Sequence, residues 1–83
     1  MVVNVTLRYL SGTPVTVKRE ESVRPGCTAG ELSDLVILAE EKSKSITFSG
    51  ASIVSVVNGQ VVTADHVLKE GDQITIMPVA AAG

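Results

Sequence analysis

The sequence predicts one small α+β domain in which a single helix packs against a sheet of four or five strands. Three observations carry that expectation. Residues 2–10 alternate apolar and polar with a period of two. A stretch opening at Thr28 repeats its apolar residues with the period of a helix. Asn58-Gly59 lies between two apolar runs, the strongest short signal for a hairpin. At 83 residues the chain holds one domain and no more. A domain of that size buries only about 60–65% of the surface its unfolded chain exposes, so its core is thin.

In the first strand, Val3, Val5, Leu7 and Tyr9 share one face, while Asn4, Thr6 and Arg8 share the other. Ser11-Gly12-Thr13 is a turn, and Val15 and Val17 then alternate with Thr16 and Lys18 in a second strand. Glu20-Glu21-Ser22 and Arg24-Pro25-Gly26 form a loop ending in a Pro-Gly break. The helix is expected over 28–43. Thr28 is its N-cap, with Glu31 three residues on to complete a capping box. Leu32, Leu35, Val36 and Ala39 make its buried stripe. Lys42 and Lys44 complement the carbonyls at its C-terminal end.

After Ser49-Gly50-Ala51-Ser52, the run 53–57 and the run 60–62 make a second hairpin around Asn58-Gly59. Thr63-Ala64-Asp65-His66 is polar and turn-like, and Val67 and Leu68 return to the core. Gly71-Asp72 turns into a last strand carrying Ile74 and Ile76, where Pro78 is expected to end the ladder because it has no N–H. The order hairpin, helix, hairpin, strand is that of the ubiquitin-like β-grasp: a mixed sheet with its helix on one face and the other face open. The domain then spans 1–78, with 79–83 as a flexible tail. Because the run 53–57 is apolar on both sides, it places apolar side chains on the open face beside Thr75 and Met77. Such patches mark contact sites, and Val56, Thr75 and Met77 are the expected partner-binding residues.

Composition excludes several functions. Net charge is −2 and the seven Lys and Arg are scattered, unlike the clustered bases of a nucleic-acid binder. No apolar run approaches the ~18 residues of a membrane span, and no basic leader precedes the first strand. One cysteine permits no internal disulfide and suits a reducing cytoplasm. One Cys and one His cannot supply the four ligands of a structural zinc site, so no metal is expected.

Catalytic residues are equally scarce. His66, beside Asp65, has no nucleophile near it in sequence and reads as a solvated turn residue. Cys27 precedes a helix N-cap, where a dipole can activate a thiol; it also occupies N′ with Leu32 at N4, the two positions of a hydrophobic staple, and that is the better reading. Glu20-Glu21 and Glu40-Glu41 read as solvated charge. What remains is the tail. Ala80, Ala81 and Ala82 are slim enough to thread a narrow channel and lead to the carboxylate of Gly83.

Val57-Asn58-Gly59, with Leu68-Lys69-Glu70-Gly71-Asp72-Gln73-Ile74-Thr75-Ile76-Met77-Pro78 and the small-residue end, resembles the MoaD/ThiS sulfur carriers. The resemblance is carried by the last third of the chain. It implies that a ubiquitin-activating-type adenylating enzyme uses ATP to activate the Gly83 carboxylate, the carrier itself binding no cofactor. Sulfur then displaces AMP to leave a thiocarboxylate, and the tail enters a partner, the molybdopterin synthase large subunit or thiazole synthase, to donate sulfur to a pterin precursor or to the thiazole of thiamin. The length is nearer that of the molybdopterin subunits. Members usually end Gly-Gly, whereas this chain ends Ala82-Gly83. A ubiquitin-like protein modifier and a β-grasp binding module with an inert tail are the alternatives.

Overall fold

The computed structural model describes residues 1–48 and 51–80. Its elements are β1 (Val2–Ser11), β2 (Thr13–Ser22), α1 (Ala29–Lys44), β3 (Ala51–Val57), β4 (Gln60–Val62) and β5 (Gln73–Ala80). They form a five-stranded sheet in the order β2-β1-β5-β3-β4. β1 and β5 are parallel neighbours at the centre, and every other pairing is antiparallel. This is the mixed sheet and single helix of the ubiquitin-like β-grasp.

The period of two in β1 becomes burial. Val3, Val5, Leu7 and Tyr9 are all buried beneath α1, beside Ile74 and Ile76 of β5. Thr28 caps the helix by accepting the Glu31 N–H at 3.2 Å, and the Glu31 carboxylate in turn accepts the Thr28 hydroxyl at 3.3 Å. Cys27 and Leu32 are both buried in the core, as a staple requires.

The helix presents a different stripe from the one its sequence suggested. Ala29, Leu32, Ser33, Val36 and Glu40 are its buried residues, whereas Leu35 is 62% exposed. Leu35 precedes Val36 by one position, about 100° around the helix, and a thin sheet does not reach that far. Two other expectations need correction. Leu68 is buried but Val67 is exposed, its backbone bridging to Thr28 while its side chain faces out. Glu40 is not solvated, and its surroundings are described below.

The second hairpin turns as its sequence predicts. Asn58 and Gly59 have φ of 50° and 86°, the paired positive values of a type I′ hairpin. The larger correction concerns Pro78. β5 does not stop there: β3 pairs with it through Ile53↔Pro78, Ser52↔Val79 and Ala51↔Ala80. The physical reason lies in the alternation of the ladder. Asn58 N–H donates to the Gln73 carbonyl, so odd-numbered residues of β5 bond to β3. Asn4 N–H donates to the Asp72 carbonyl, so even-numbered residues there face β1. The donor Pro78 lacks would therefore point toward β1, whose pairing with β5 ended at Leu7↔Ile76. Val79 and Ala80 belong to the sheet, not to a tail.

Candidate functional site

The helix covers one face of the sheet and leaves the other open. On that open face, register places Val56 opposite Thr75 and Val54 opposite Met77. Thr6 flanks Thr75 from β1, and Val61 flanks Val56 from β4. The three partner-binding residues expected from sequence, Val56, Thr75 and Met77, thus lie side by side, each half-buried. Leu10, Val61 and Val79 extend the apolar surface and are exposed by 78%, 75% and 48%. Sequence reading passed over these three. Val61 was recoverable, because the Asn58-Gly59 turn fixes the Val56↔Val61 pairing.

Beyond Leu7↔Ile76 the two central strands separate. β1 continues against β2 as far as Ser11, and β5 continues against β3 as far as Ala80. Between them opens a wedge of about 460 Å³, floored by Tyr9, Val15 and Pro78 and walled by Arg8, Leu10, Pro14, Thr16, Met77 and Val79. The expected tail begins at its rim. Ala80 ends β5; Ala81, Ala82 and Gly83 lie outside the described residues.

Two hydrogen-bonded clusters hold this site in place. At the start of β5, Asn58 Nδ2 donates to Asp72 Oδ1 at 3.0 Å, and Asn58 Oδ1 accepts the Gln73 N–H at 3.0 Å. Asp72 Oδ2 accepts the Lys69 N–H at 2.8 Å. At the wedge floor, Tyr9 donates its phenol proton to Glu40 Oε2 at 2.6 Å, and Lys44 Nζ reaches the same oxygen at 2.8 Å. Phe48 meets the Tyr9 ring edge-on, with centroids 4.9 Å apart. The Lys44 ammonium and the Tyr9 hydroxyl hold the Glu40 carboxyl below its usual range, against the pull of burial. Burial and the Glu40 carboxylate push the Tyr9 phenol up.

The other candidates for chemistry stay apart. Burial pushes the Cys27 thiol up, which disfavours the thiolate, and Sγ donates to the Thr28 carbonyl at 3.6 Å. His66 is half-buried and its carbonyl accepts the Ala29 N–H at 2.9 Å, so its backbone caps the helix start. Among the described residues, no group of three or more His, Cys, Asp or Glu could hold a metal ion. Nor is any described helix long and apolar enough to cross a membrane.

A capped helix on one sheet face, an open apolar face and a last strand at the centre of the sheet define a ubiquitin-like β-grasp protein. The chain belongs to the ThiS family, whose model matches residues 1–83. Among solved structures it is similar to the putative molybdopterin converting factor, subunit 1, from Pyrococcus furiosus. That match has 25% identity, covers 93% of this chain and 98% of the other, and has a TM-score of 0.60. SAMP1 from Haloferax volcanii shares the fold at 15% identity, with 96% and 99% coverage and a TM-score of 0.59. A Caldiarchaeum subterraneum ubiquitin does so at 14% identity, with full coverage of both chains and a TM-score of 0.54. No curated protein matches the sequence. The chain is a ThiS/MoaD-like protein, and members of that family are small carriers that are generally not catalytic themselves.

Proposed function

We propose that this chain carries sulfur as a thiocarboxylate on Gly83. The observation that supports the reading is the path of β5. That strand is central, is held on both sides through Ile76 and on one side to Ala80, and so ends three residues before Gly83. In the proposed reaction a carboxylate oxygen of Gly83 attacks the α-phosphate of ATP in an adenylating enzyme, and pyrophosphate leaves. A persulfide sulfur then attacks the acyl carbon and AMP departs. A thiol then attacks the other sulfur of the acyl disulfide, cleaving the persulfide's original sulfur–sulfur bond to release the thiocarboxylate and leave a disulfide on the sulfur donor. The carrier contributes the acyl carbon and a docking surface, for which Val56, Thr75 and Met77 are the central residues. Ala80, Ala81 and Ala82 supply a slim approach, and the partner supplies ATP. The tail then enters a partner, the large subunit of molybdopterin synthase or a thiazole synthase, where the acceptor is a pterin precursor or the thiazole of thiamin.

Intact mass of the protein purified from its own host tests this directly. The expected result is a gain equal to replacing one oxygen by sulfur. Lysine adducts bearing the carrier's C-terminus, with no sulfur form, would make the chain a protein modifier instead. ATP–pyrophosphate exchange with the host adenylating enzyme locates the acyl group: it should survive Ala82→Gly and vanish when Gly83 is deleted. Exchange that persists without Gly83 sinks the mechanism.

A further inference from the structure

The two edges of the sheet differ in length: β4 has 3 residues and β2 has 10. Shortness is one way an edge avoids pairing with other chains, and β2 lacks it. The odd-numbered residues of β2 bond to β1, so the N–H and C=O groups of Thr16, Lys18, Glu20 and Ser22 point outward. All four residues are exposed. Pro14, which has no donor to offer, stands near the start of the strand and leaves the stretch from Thr16 to Ser22 able to pair.

The charges along that stretch complement themselves. Lys18 and Glu20 share the open face, and among the described residues neither makes an ion pair within its own chain. An antiparallel copy of β2 can bond to this edge only with even residues opposite even residues, because both must present their hydrogen-bonding groups. A two-fold axis at Arg19 sets Lys18 opposite the second copy's Glu20, Glu20 opposite its Lys18, and Thr16 opposite its Ser22. An axis at Lys18 would set lysine against lysine, and one at Glu20 would set glutamate against glutamate. The register about Arg19 is the one of the three in which both central charge pairs attract, and it leaves Pro14 beyond the ladder. On the helix face the two Arg19 side chains meet across the axis, but each already pairs with its own Glu21 and lies diagonal to the other copy's Glu21.

We propose that this chain pairs reversibly with a second copy of itself through β2, in the register about Arg19. Two five-stranded sheets then become one continuous sheet, with both helices on the same side. The proposal is independent of the adenylation reading. β5 stands third from the joined edge, so the face around Val56, Thr75 and Met77 stays uncovered. The two β5 strands run in opposite directions, and their Ala80 ends lie at opposite ends of the joined sheet. One strand pair makes a contact below the roughly 1,200 Å² of a standard interface, so the association is weak.

Sedimentation equilibrium and amide hydrogen exchange on the whole chain, from about 10 µM to about 1 mM, test this. Mass should rise toward that of a dimer. The amides of Thr16, Lys18, Glu20 and Ser22 should become slow to exchange as concentration rises, while those of Val17 and Arg19 are slow throughout. Lys18→Glu alone, or Glu20→Lys alone, sets like charges opposite each other in both central pairs and should weaken association about tenfold at low ionic strength. Mixing the two single variants should restore it, because each supplies the charge the other has lost. Both side chains are exposed, so the variants should melt with the parent, which separates lost pairing from lost folding. A monomer mass across the whole range overturns the proposal, as does a dimer indifferent to both single changes. Protection of these amides that appears only when the adenylating enzyme is added would give the edge to that partner and overturn it too.

Discussion

Asn58 and Asp72 grip each other across the start of the last strand: the carboxamide of one donates to the carboxylate of the other at 3.0 Å. Each is doubly engaged, Asn58 also with the Gln73 backbone and Asp72 with the Lys69 N–H. Asn58 does this from a positive φ of 50°, a conformation asparagine tolerates better than most residues. The side chain that makes the hairpin turn also fixes where β5 begins. Asn58→Ala leaves the buried Asp72 carboxylate short of a donor and should cost about 2–3 kcal/mol. For a domain of this size that lowers the melting temperature by roughly 10–20 °C. Asn58→Gly, which removes any cost of positive φ, should recover only a small part of the loss. An unchanged melting curve for Asn58→Ala would mean that the clamp holds nothing.

Glu40 makes stability depend on acid. Its folded-state pKa is lowered, first by Lys44 and then by Tyr9. Between that value and the ordinary unfolded one near ~4.3, the unfolded chain binds more protons than the folded chain. Its contribution is therefore whole above the unfolded pKa and is lost as pH falls through the folded pKa. Chemical denaturation from neutral pH down to the acid range should show that fall for the parent and a shallower one for Glu40→Gln. Equal acid slopes in the two proteins would refute the assignment.

Gly30 of the helix leaves no room for a side chain. A Cβ there would lie 2.9 Å from the Ala64 Cβ and 3.0 Å from the Ala64 carbonyl oxygen, while the Gly30 N–H already donates to that carbonyl at 2.8 Å. Alanine would ordinarily gain up to about 1 kcal/mol in a helix. Here overpacking of about 1–3 kcal/mol outweighs it, so Gly30→Ala should destabilise. In an Ala64→Gly background the methyl–methyl clash is gone and the penalty should shrink. Additive effects of the two changes would show that these atoms do not collide.

The helix stripe can be tested on two leucines three positions apart. Leu32 is 1% exposed and Leu35 is 62% exposed. Leu32→Ala should cost about 2–5 kcal/mol, whereas Leu35→Glu should stay within about 0.5 kcal/mol of the parent. Denaturant midpoints in the opposite order would place the helix on its other face.

Met77→Asp addresses the open face. Met77 is half-buried opposite Val54, on the side of the sheet away from the helix. The change should weaken binding to the adenylating enzyme while leaving the melting temperature near that of the parent. Collapse of stability, or affinity that does not move, would show that this surface is not where the partner sits.

Much of this was legible before any coordinate, and the exceptions share a cause. Strand period, the Thr28 cap and the Asn58-Gly59 turn are local, written within a few residues, and they appear as read. Leu35, Glu40 and Pro78 are not local. Leu35 is apolar and correctly spaced, but how far round a helix the core extends depends on the width of sheet beneath it. Glu40 looks like surface charge until a tyrosine 31 positions earlier in the chain is folded against it. Pro78 does lack a donor, yet whether that ends a strand depends on which neighbour the donor would have faced. Pro14, on the outward edge of β2, meets the same condition, because odd-numbered β1 residues and their β2 partners bond to each other and leave the even ones facing out. Thr75, Met77 and Val56 could be assigned to the open face from alternation alone. The wedge beside them could not, since it exists only where two long pairings end at different heights.

The central position of β5 has a mechanical consequence. A pull applied beyond Ala80, as by a partner drawing the chain's end into a channel, acts along the strand axis. The bonds from β5 to β1 on one side and to β3 on the other lie across that axis, so they are loaded together in shear. Peeling them one at a time would require the force to enter at an edge, and both edges of this sheet belong to other strands. Force entering through β5 is therefore shared by two ladders before either can open.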